Sequence, residues 1–132
     1  MTIDLRCFIY TSRLAPDNTP AAVGAIVKQA REHNAIHGIT GVLIFNGEWF
    51  AQYIEGEPLS IEQLVRNLVV DSRHCELKVH MQDPLEQRRF AAWCMGYADV
   101  ENAGFDMEAL RQTEGQMTLD CFLSAAKVLD IA

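Results

Sequence analysis

No stretch of this chain approaches the ~20 consecutive apolar residues that a membrane-spanning helix requires, and that absence sets aside a helical membrane protein. Basic charge is scarce: 11 Lys and Arg stand against 18 Asp and Glu, a formal net charge of −7. A nucleic-acid-binding domain needs a cationic footprint, and an anionic membrane surface attracts the same kind of patch, so neither partner is expected. Cysteine is limited to Cys7, Cys75, Cys94 and Cys121, with no Cys-x-x-Cys pair and no metal-ligand spacing to the histidines. Each sits among apolar neighbours, where a free thiol acts as a small hydrophobe. The expectation is a reduced, cytoplasmic protein without a metal site. Repeats, low-complexity tracts and long linkers are missing. The first residues, Met-Thr-Ile-Asp-Leu-Arg-Cys, lack a basic segment followed by an apolar stretch, so no export signal is expected.

What is present is a hydrophobic fraction of 49% in 132 residues, enough for one well-packed core and too much for disorder. Residues 4–10 alternate, with Leu5, Cys7 and Ile9 on one side and Arg6, Phe8 and Tyr10 on the other, as a strand requires. Asp17-Asn18-Thr19-Pro20 reads as a turn into a helix, with Thr19 as N-cap and Pro20 in the first helical position. Val23, Ile26, Val27 and Ala30 keep helical spacing to about Asn34, and Gly38 lies just beyond. The apolar runs 40–45 and 48–54 flank Asn46-Gly47, a strong hairpin signal. Ser60-x-x-Gln63 has the form of a capping box, followed by a stripe of Ile61, Leu64, Val65, Leu68 and Val69. Residues 77–82 and 91–98 read as two further strands turned at Asp83-Pro84. The order β-α-β-β-α-β-β predicts an α+β, ferredoxin-like βαββαβ core with an additional strand and both helices on one sheet face. Thr118 is placed to cap a last helix whose face is Leu119, Phe122, Ala126 and Leu129. That helix is expected to cover the second sheet face, in the same chain or in a neighbouring copy.

One residue interrupts the apolar pattern in a way that asks for a partner. Gln52 lies inside Trp49-Phe50-Ala51-Gln52-Tyr53-Ile54-Glu55-Gly56. An amide buried without hydrogen bonds costs about 1–3 kcal/mol. Tyr10 and Gln52 share the parity of Phe8 and Phe50 on their strands, so if those rings face the core, both polar groups face the helices. Two buried polar side chains near aliphatic helix stripes suit a flat, polar-edged ligand. Taken singly, each residue has a plain structural role open to it: Tyr10 as a core tyrosine, Asn34 at a helix end, Trp93 and Met95 as core, Asp71 and Arg73 as a surface pair.

Four segments carry the pattern together: Tyr10-Thr11-Ser12, His33-Asn34, Phe50-Ala51-Gln52-Tyr53-Ile54-Glu55-Gly56, and Arg88-Arg89-Phe90-Ala91-Ala92-Trp93-Cys94-Met95. With Ile39-Thr40-Gly41 and Asp71-Ser72-Arg73-His74, in this order and spacing, the chain resembles the BLUF family of flavin-binding blue-light sensors from residue 5 to about 98. The resemblance implies a photosensory domain over 1–98, with 99–132 a helical extension of the same compact unit. It implies a non-covalent flavin, FAD with FMN as the alternative, lying between the two helices. Tyr10 matches the photoactive tyrosine and Gln52 the signalling glutamine. Asn34 matches the asparagine at the polar edge of the ring, and His33 sits at another polar contact. Ile26 and Leu68 match the aliphatic pair that sandwiches the ring, and Asn67 and Asp71 fall where some members contact its edge or ribityl chain. Trp93 and Met95 match the signal-transmitting pair, either of which can lie next to the glutamine. The implied chemistry is light-driven electron and proton transfer from Tyr10, rearrangement of the Gln52 hydrogen bonds and a small red shift, without catalysis. Gly96 departs from the larger polar residue of many relatives.

About 34 residues follow position 98, fewer than a typical domain, so the expectation is a short type whose signal passes to an effector protein in trans. The apolar tail face makes a homo-oligomer the expectation as well. A flavin-dependent redox protein, or a regulatory module that is not photoactive, are the alternatives.

Overall fold

The computed structural model describes residues 4–19, 21–100 and 105–132. Its elements are β1 (Leu5–Leu14), α1 (Ala22–His37), β2 (Thr40–Phe45), β3 (Trp49–Gly56), α2 (Pro58–Val70), β4 (His74–Leu85), β5 (Gly96–Asp99), α3 (Met107–Arg111) and α4 (Gln116–Val128). The strands form one sheet in the order β4-β1-β3-β2-β5. β1, β3, β2 and β4 pair antiparallel, and β5 joins β2 in parallel. This is the ferredoxin-like arrangement with one strand added at the β2 edge.

The period-2 alternation of the strands divides the core into two layers. Phe8 and Tyr10 of β1, Leu43 and Phe45 of β2, and Phe50 and Ile54 of β3 pack with Val23 and Val27 of α1 and Ile61 and Leu64 of α2. The opposite parity, including Ile9, Val42, Ile44 and Tyr53, packs with Met107 and Leu110 of α3 and Leu119 and Phe122 of α4. The tail thus covers the second face within its own chain. Leu119 and Phe122 are buried there, so they are not the surface on which copies would associate.

Several expected boundaries differ. Thr19 does not cap α1: Ala21 holds the N-cap position without a side-chain bond, and Pro20 lies outside the described residues. α1 continues past Asn34 to His37, because nothing interrupts it before Gly38. α2 starts at Pro58, ahead of the Ser60 capping box, with Glu57 at the N-cap; proline in the first turn lacks only a donor that the helix leaves unpaired. Asp83-Pro84 is no turn. It lies within β4, where Pro84 pairs with Arg6, and β4 is an edge strand, the place where a missing N–H is tolerated.

The last expected strand, 91–98, shrinks to Gly96–Asp99. The preceding backbone is committed elsewhere. The N–H groups of Arg89 and Phe90 donate to Glu55, while Asn34 donates to the Cys94 carbonyl and Arg31 to that of Met95. Thr118 does not cap α4 either; Gly115 precedes the helix, and the buried Thr118 hydroxyl lies 2.8 Å from that of Thr113. The core side of α4 includes Ala125 where the sequence pattern pointed to Ala126.

Candidate functional site

Tyr10 and Gln52 are direct partners in the β1–β3 register, so their side chains emerge side by side on the α1/α2 face. Both are buried, at 3% and 5% exposure. The Tyr10 hydroxyl donates to Gln52 Oε1. Gln52 Nε2 donates to Met95 Sδ at 3.3 Å, and a thioether is a weak acceptor. The amide's acceptor is therefore well matched while its donor side has no strong partner. Burial, with Asp71 nearby, pushes the Tyr10 pKa well above the usual tyrosine range, so the group remains a neutral phenol near pH 7.

Beside this pair lies a cavity of about 270 Å³ between α1 and α2. Ile26 of α1 and Leu64 and Leu68 of α2 line it, with Leu43 and Phe50 from the sheet below. His33 and Asn34 enter from the end of α1, and Asn67 and Asp71 from the end of α2. Every residue matched by resemblance to a ring contact thus borders one cavity, together with Tyr10 and Gln52. Asn67 sits at its exposed rim, with its Oδ1 bonded by Gln63 at 3.1 Å.

Unpartnered polar atoms gather at the same place. Asn34 is almost fully buried, and its Nδ2 donates to the Cys94 carbonyl at 2.7 Å, yet its Oδ1 has no partner. His33 Nδ1 is also buried without a partner, and the buried His74 ring has none beyond the Leu68 backbone. Orphaned polar atoms of this kind ask for an explanation. A flat heterocycle with N–H and carbonyl groups along one edge would supply it, with Asn34 and Gln52 available to its polar edge and Ile26 and Leu68 to its apolar faces. The residues present therefore fit a flavin ring.

Sequence spacing did not single out Ser12, Arg73 or His74 as cavity residues. Ser12 lies two positions from Tyr10 and so shares its face, the one signal that period 2 offered. Arg73 donates to Asp71 through Nε at 3.0 Å and Nη2 at 2.7 Å. That hydrogen bonding holds the Asp71 carboxyl below its usual pKa, and the pair, for which a surface contact was the plain alternative, is half-buried at the cavity. Burial lowers the His74 pKa, with Asp71 opposing, so a neutral imidazole faces the space.

The two candidates for signal transmission part company. Met95 is buried against Gln52. Trp93 lies outside any strand, 37% exposed, stacked on Phe90 at 6.2 Å between centroids. Gly96 makes room for this: a Cβ there would come within 2.8 Å of the Trp93 ring and 2.6 Å of Ile131 Cγ2. A larger residue at this position would push one of them aside. Arg31, three residues before Asn34 on α1, was also missed; its Nε donates to the Met95 carbonyl at 2.9 Å and its Nη2 to that of Ala132 at 2.8 Å.

Comparison with known proteins gives a consistent result. The family model for sensors of blue light using FAD, BLUF, matches residues 5–96. The blue light- and temperature-regulated antirepressor BluF of Escherichia coli (strain K12) is 30% identical over 96 residues, covering 73% of this chain and 24% of that protein. The chain thus spans about a quarter of that curated relative's length. The dark-state structure of the BLUF protein BlrB has a TM-score of 0.80 at 28% identity, covering 97% of this chain and 100% of the other. Klebsiella pneumoniae BlrP1 with FMN and cyclic diGMP has a TM-score of 0.69 at 35% identity, covering 82% of this chain and 29% of that one.

Proposed function

The chain belongs to the BLUF family of blue-light sensors using FAD, and from that membership we propose that it senses blue light through a flavin held between α1 and α2 and signals by rearranging the Gln52 amide. The observation that carries this reading is the buried chain Tyr10–Gln52–Met95 beside a cavity lined by Asn34, whose buried Oδ1 has no partner. A bound flavin supplies a blue-light absorber that becomes a strong one-electron oxidant when excited.

The side chains do the rest. Tyr10 is the electron donor, and its hydrogen bond to Gln52 Oε1 gives the phenol proton a defined acceptor as the electron leaves. The aliphatic Ile26 and Leu68 offer no competing electron-rich ring at the cavity faces. Return of the electron and proton leaves the Gln52 amide rotated or tautomerised, with a stronger hydrogen bond to the ring edge and absorption moved slightly to the red. Met95, bonded to the same amide, is the first residue to feel the change. A local hydrogen-bond switch then biases a larger element, and here residues 88–95 and β5 are that element.

His33 and Asn34 serve the polar edge of the ring, and Asn67, Asp71 and Arg73 the side toward the ribityl chain. We assign FAD from the family's description; BlrP1 carries FMN in its structure, and the flavin released by heating the purified protein distinguishes them. We infer a sensory module over 1–98, with 99–132 as part of the same unit, that passes its signal to an effector protein. Among the described residues no helix is long and apolar enough to cross a membrane.

The test is a pair of substitutions. Tyr10→Phe should keep flavin bound and abolish the normal red-shifted state, and Gln52→Leu should do the same by deleting the amide. A full wild-type photocycle in Tyr10→Phe rejects the donor; one in Gln52→Leu rejects the amide switch.

A further inference from the structure

Residues 86–95 run without regular pairing from β4 to β5, yet they bring Met95 to within hydrogen-bond reach of Gln52. We propose that Glu55, on the sheet face opposite Gln52, is the positioning residue for this segment and so for the contact between Met95 and the signalling amide. The consequence in light rests on the photoreceptor reading above; the consequence in darkness does not.

Glu55 is fully buried, at 0% exposure. Its Oε1 accepts from the Arg89 N–H and the Tyr53 hydroxyl, each at 2.9 Å. Its Oε2 accepts from the Phe90 N–H at 2.9 Å and the Thr40 hydroxyl at 2.8 Å. An ionised carboxylate only accepts and has about four lone-pair sites, and four donors approach it. The directions are fixed from outside. Arg89 donates to the Tyr53 hydroxyl at 2.9 Å and Arg88 to the Thr40 hydroxyl at 2.9 Å, which leaves both hydroxyl hydrogens to point at Glu55.

Two consecutive backbone amides are therefore pinned to one carboxylate at the entry of the segment. From there little slack remains. The Phe90 ring meets Tyr53 edge-on at 5.2 Å, and the Phe90 carbonyl accepts from the Trp93 N–H at 3.1 Å. The Trp93 carbonyl accepts from the Gly41 N–H at 3.1 Å, and α1 holds the Cys94 and Met95 carbonyls through Asn34 and Arg31. Glutamine at position 55 would keep the shape and turn an NH₂ toward these donors, so at least one amide of the segment would be released.

The experiment compares Glu55→Gln with Tyr53→Phe, which removes a donor to the same carboxylate but leaves the Arg89 and Phe90 amides bonded. In darkness, amide hydrogen exchange at Arg89 and Phe90 is read alongside the Met95 methyl NMR resonance, identified by its loss in Met95→Leu. Glu55→Gln should raise that exchange about tenfold or more, the scale of a lost charge-assisted bond, and shift or split the Met95 resonance. Tyr53→Phe also frees the Arg89 guanidinium, so its control readouts are the Phe90 amide and the Met95 resonance, which should stay close to wild type. Under light, Glu55→Gln should change the dark-recovery rate by about tenfold, the same scale, with Tyr53→Phe close to wild type. An unmoved Met95 resonance in Glu55→Gln overturns the proposal, as does an equal effect of Tyr53→Phe, which would mark general loosening. Unchanged recovery in Glu55→Gln, with a wild type that does shift, overturns it too. A wild type that shows no red shift rejects the photoreceptor reading alone, and the dark resonance still decides the role of Glu55. Should Glu55→Gln fail to fold, Glu55→Asp, which keeps the charge and withdraws it from the two amides, is expected to move the same signals.

Discussion

Asn34 lines the cavity and splits its amide: Nδ2 ties down the Cys94 carbonyl, and the buried Oδ1 has no partner. Asn34→Ala should therefore weaken flavin binding by about tenfold or more, on the scale of one lost buried hydrogen bond, and loosen the segment ahead of Met95. Titration of flavin-free protein with flavin, followed by flavin fluorescence, reads the first effect; unchanged affinity would remove Asn34 from the site. At this scale the sequence was informative where a rule of period 2 applied. Tyr10 and Gln52 share a face because their strands alternate, and their register partnership follows from the hairpin and the β1–β3 pairing. Trp93 and Met95 were expected two apart on one strand, which would give them one face. Their separation, one buried and one half-exposed, depends on Glu55, Asn34 and Arg31 binding the backbone from distant positions, and no local pattern encodes that. Arg73 and His74 were hidden for a similar reason: a cavity is a property of packed helices, and residues following a helix show no period that points into it.

At the scale of elements, the strand and helix cores were legible and their ends were not. Asn46-Gly47 does join β2 to β3, and the Asn46 side chain accepts from the Glu48 and Trp49 N–H groups at 3.0 and 2.7 Å. The cap signals at Thr19, Ser60 and Thr118 went unused because packing of the apolar stripes, worth more than a cap, decides where each helix meets the sheet. Pro84 reads as a breaker until β4 is known to be an edge. Gly41 shows how closely β2 and β3 approach: a Cβ there would lie 2.0 Å from the Tyr53 carbonyl oxygen and 3.1 Å from Ile54 Cα. Both obstacles are backbone, so neither can swing aside. Gly41→Ala should destabilise the protein by about 3 kcal/mol, the range of a forced overpacking, seen as a lower urea midpoint; a midpoint within error of wild type would contradict this packing. The strain would fall on the strand that carries Gln52, so the photocycle should be disturbed as well.

In the whole molecule, the sheet separates the layer that holds the cavity from the layer packed against α3 and α4, and His80 links β1 to the tail. His80 of β4 is buried, with Nε2 at 2.7 Å from the Thr11 hydroxyl and Nδ1 at 2.8 Å from the Thr113 carbonyl. The carbonyl can only accept, so Nδ1 carries the proton in the neutral ring and Nε2 accepts from Thr11. Burial lowers the His80 pKa, only partly offset by the bond to Thr113. The unfolded chain then binds a proton that the folded chain resists, so stability is full above about pH 6.5 and declines as pH falls from there toward the lower folded value. His74 acts in the same direction. Thermal melts across pH 5 to 8 should show this slope, and His80→Gln should reduce it; a slope unaffected by the substitution would assign the effect elsewhere. That the tail folds back over the second face was legible as an apolar stripe. Whether it covered its own sheet or a neighbour's was not, because a stripe specifies a face to be buried and not the chain that buries it.

On the proposed function, light acting on a flavin between α1 and α2 changes the hydrogen bonds of Gln52. The most direct measurement is the absorption spectrum of the purified protein before, during and after blue light. The expected result is a yellow protein whose flavin bands shift slightly to the red without bleaching and return in the dark. A protein that stays colourless after flavin is supplied, or a bound flavin that bleaches with a nicotinamide reductant and shows no reversible shift, would contradict it.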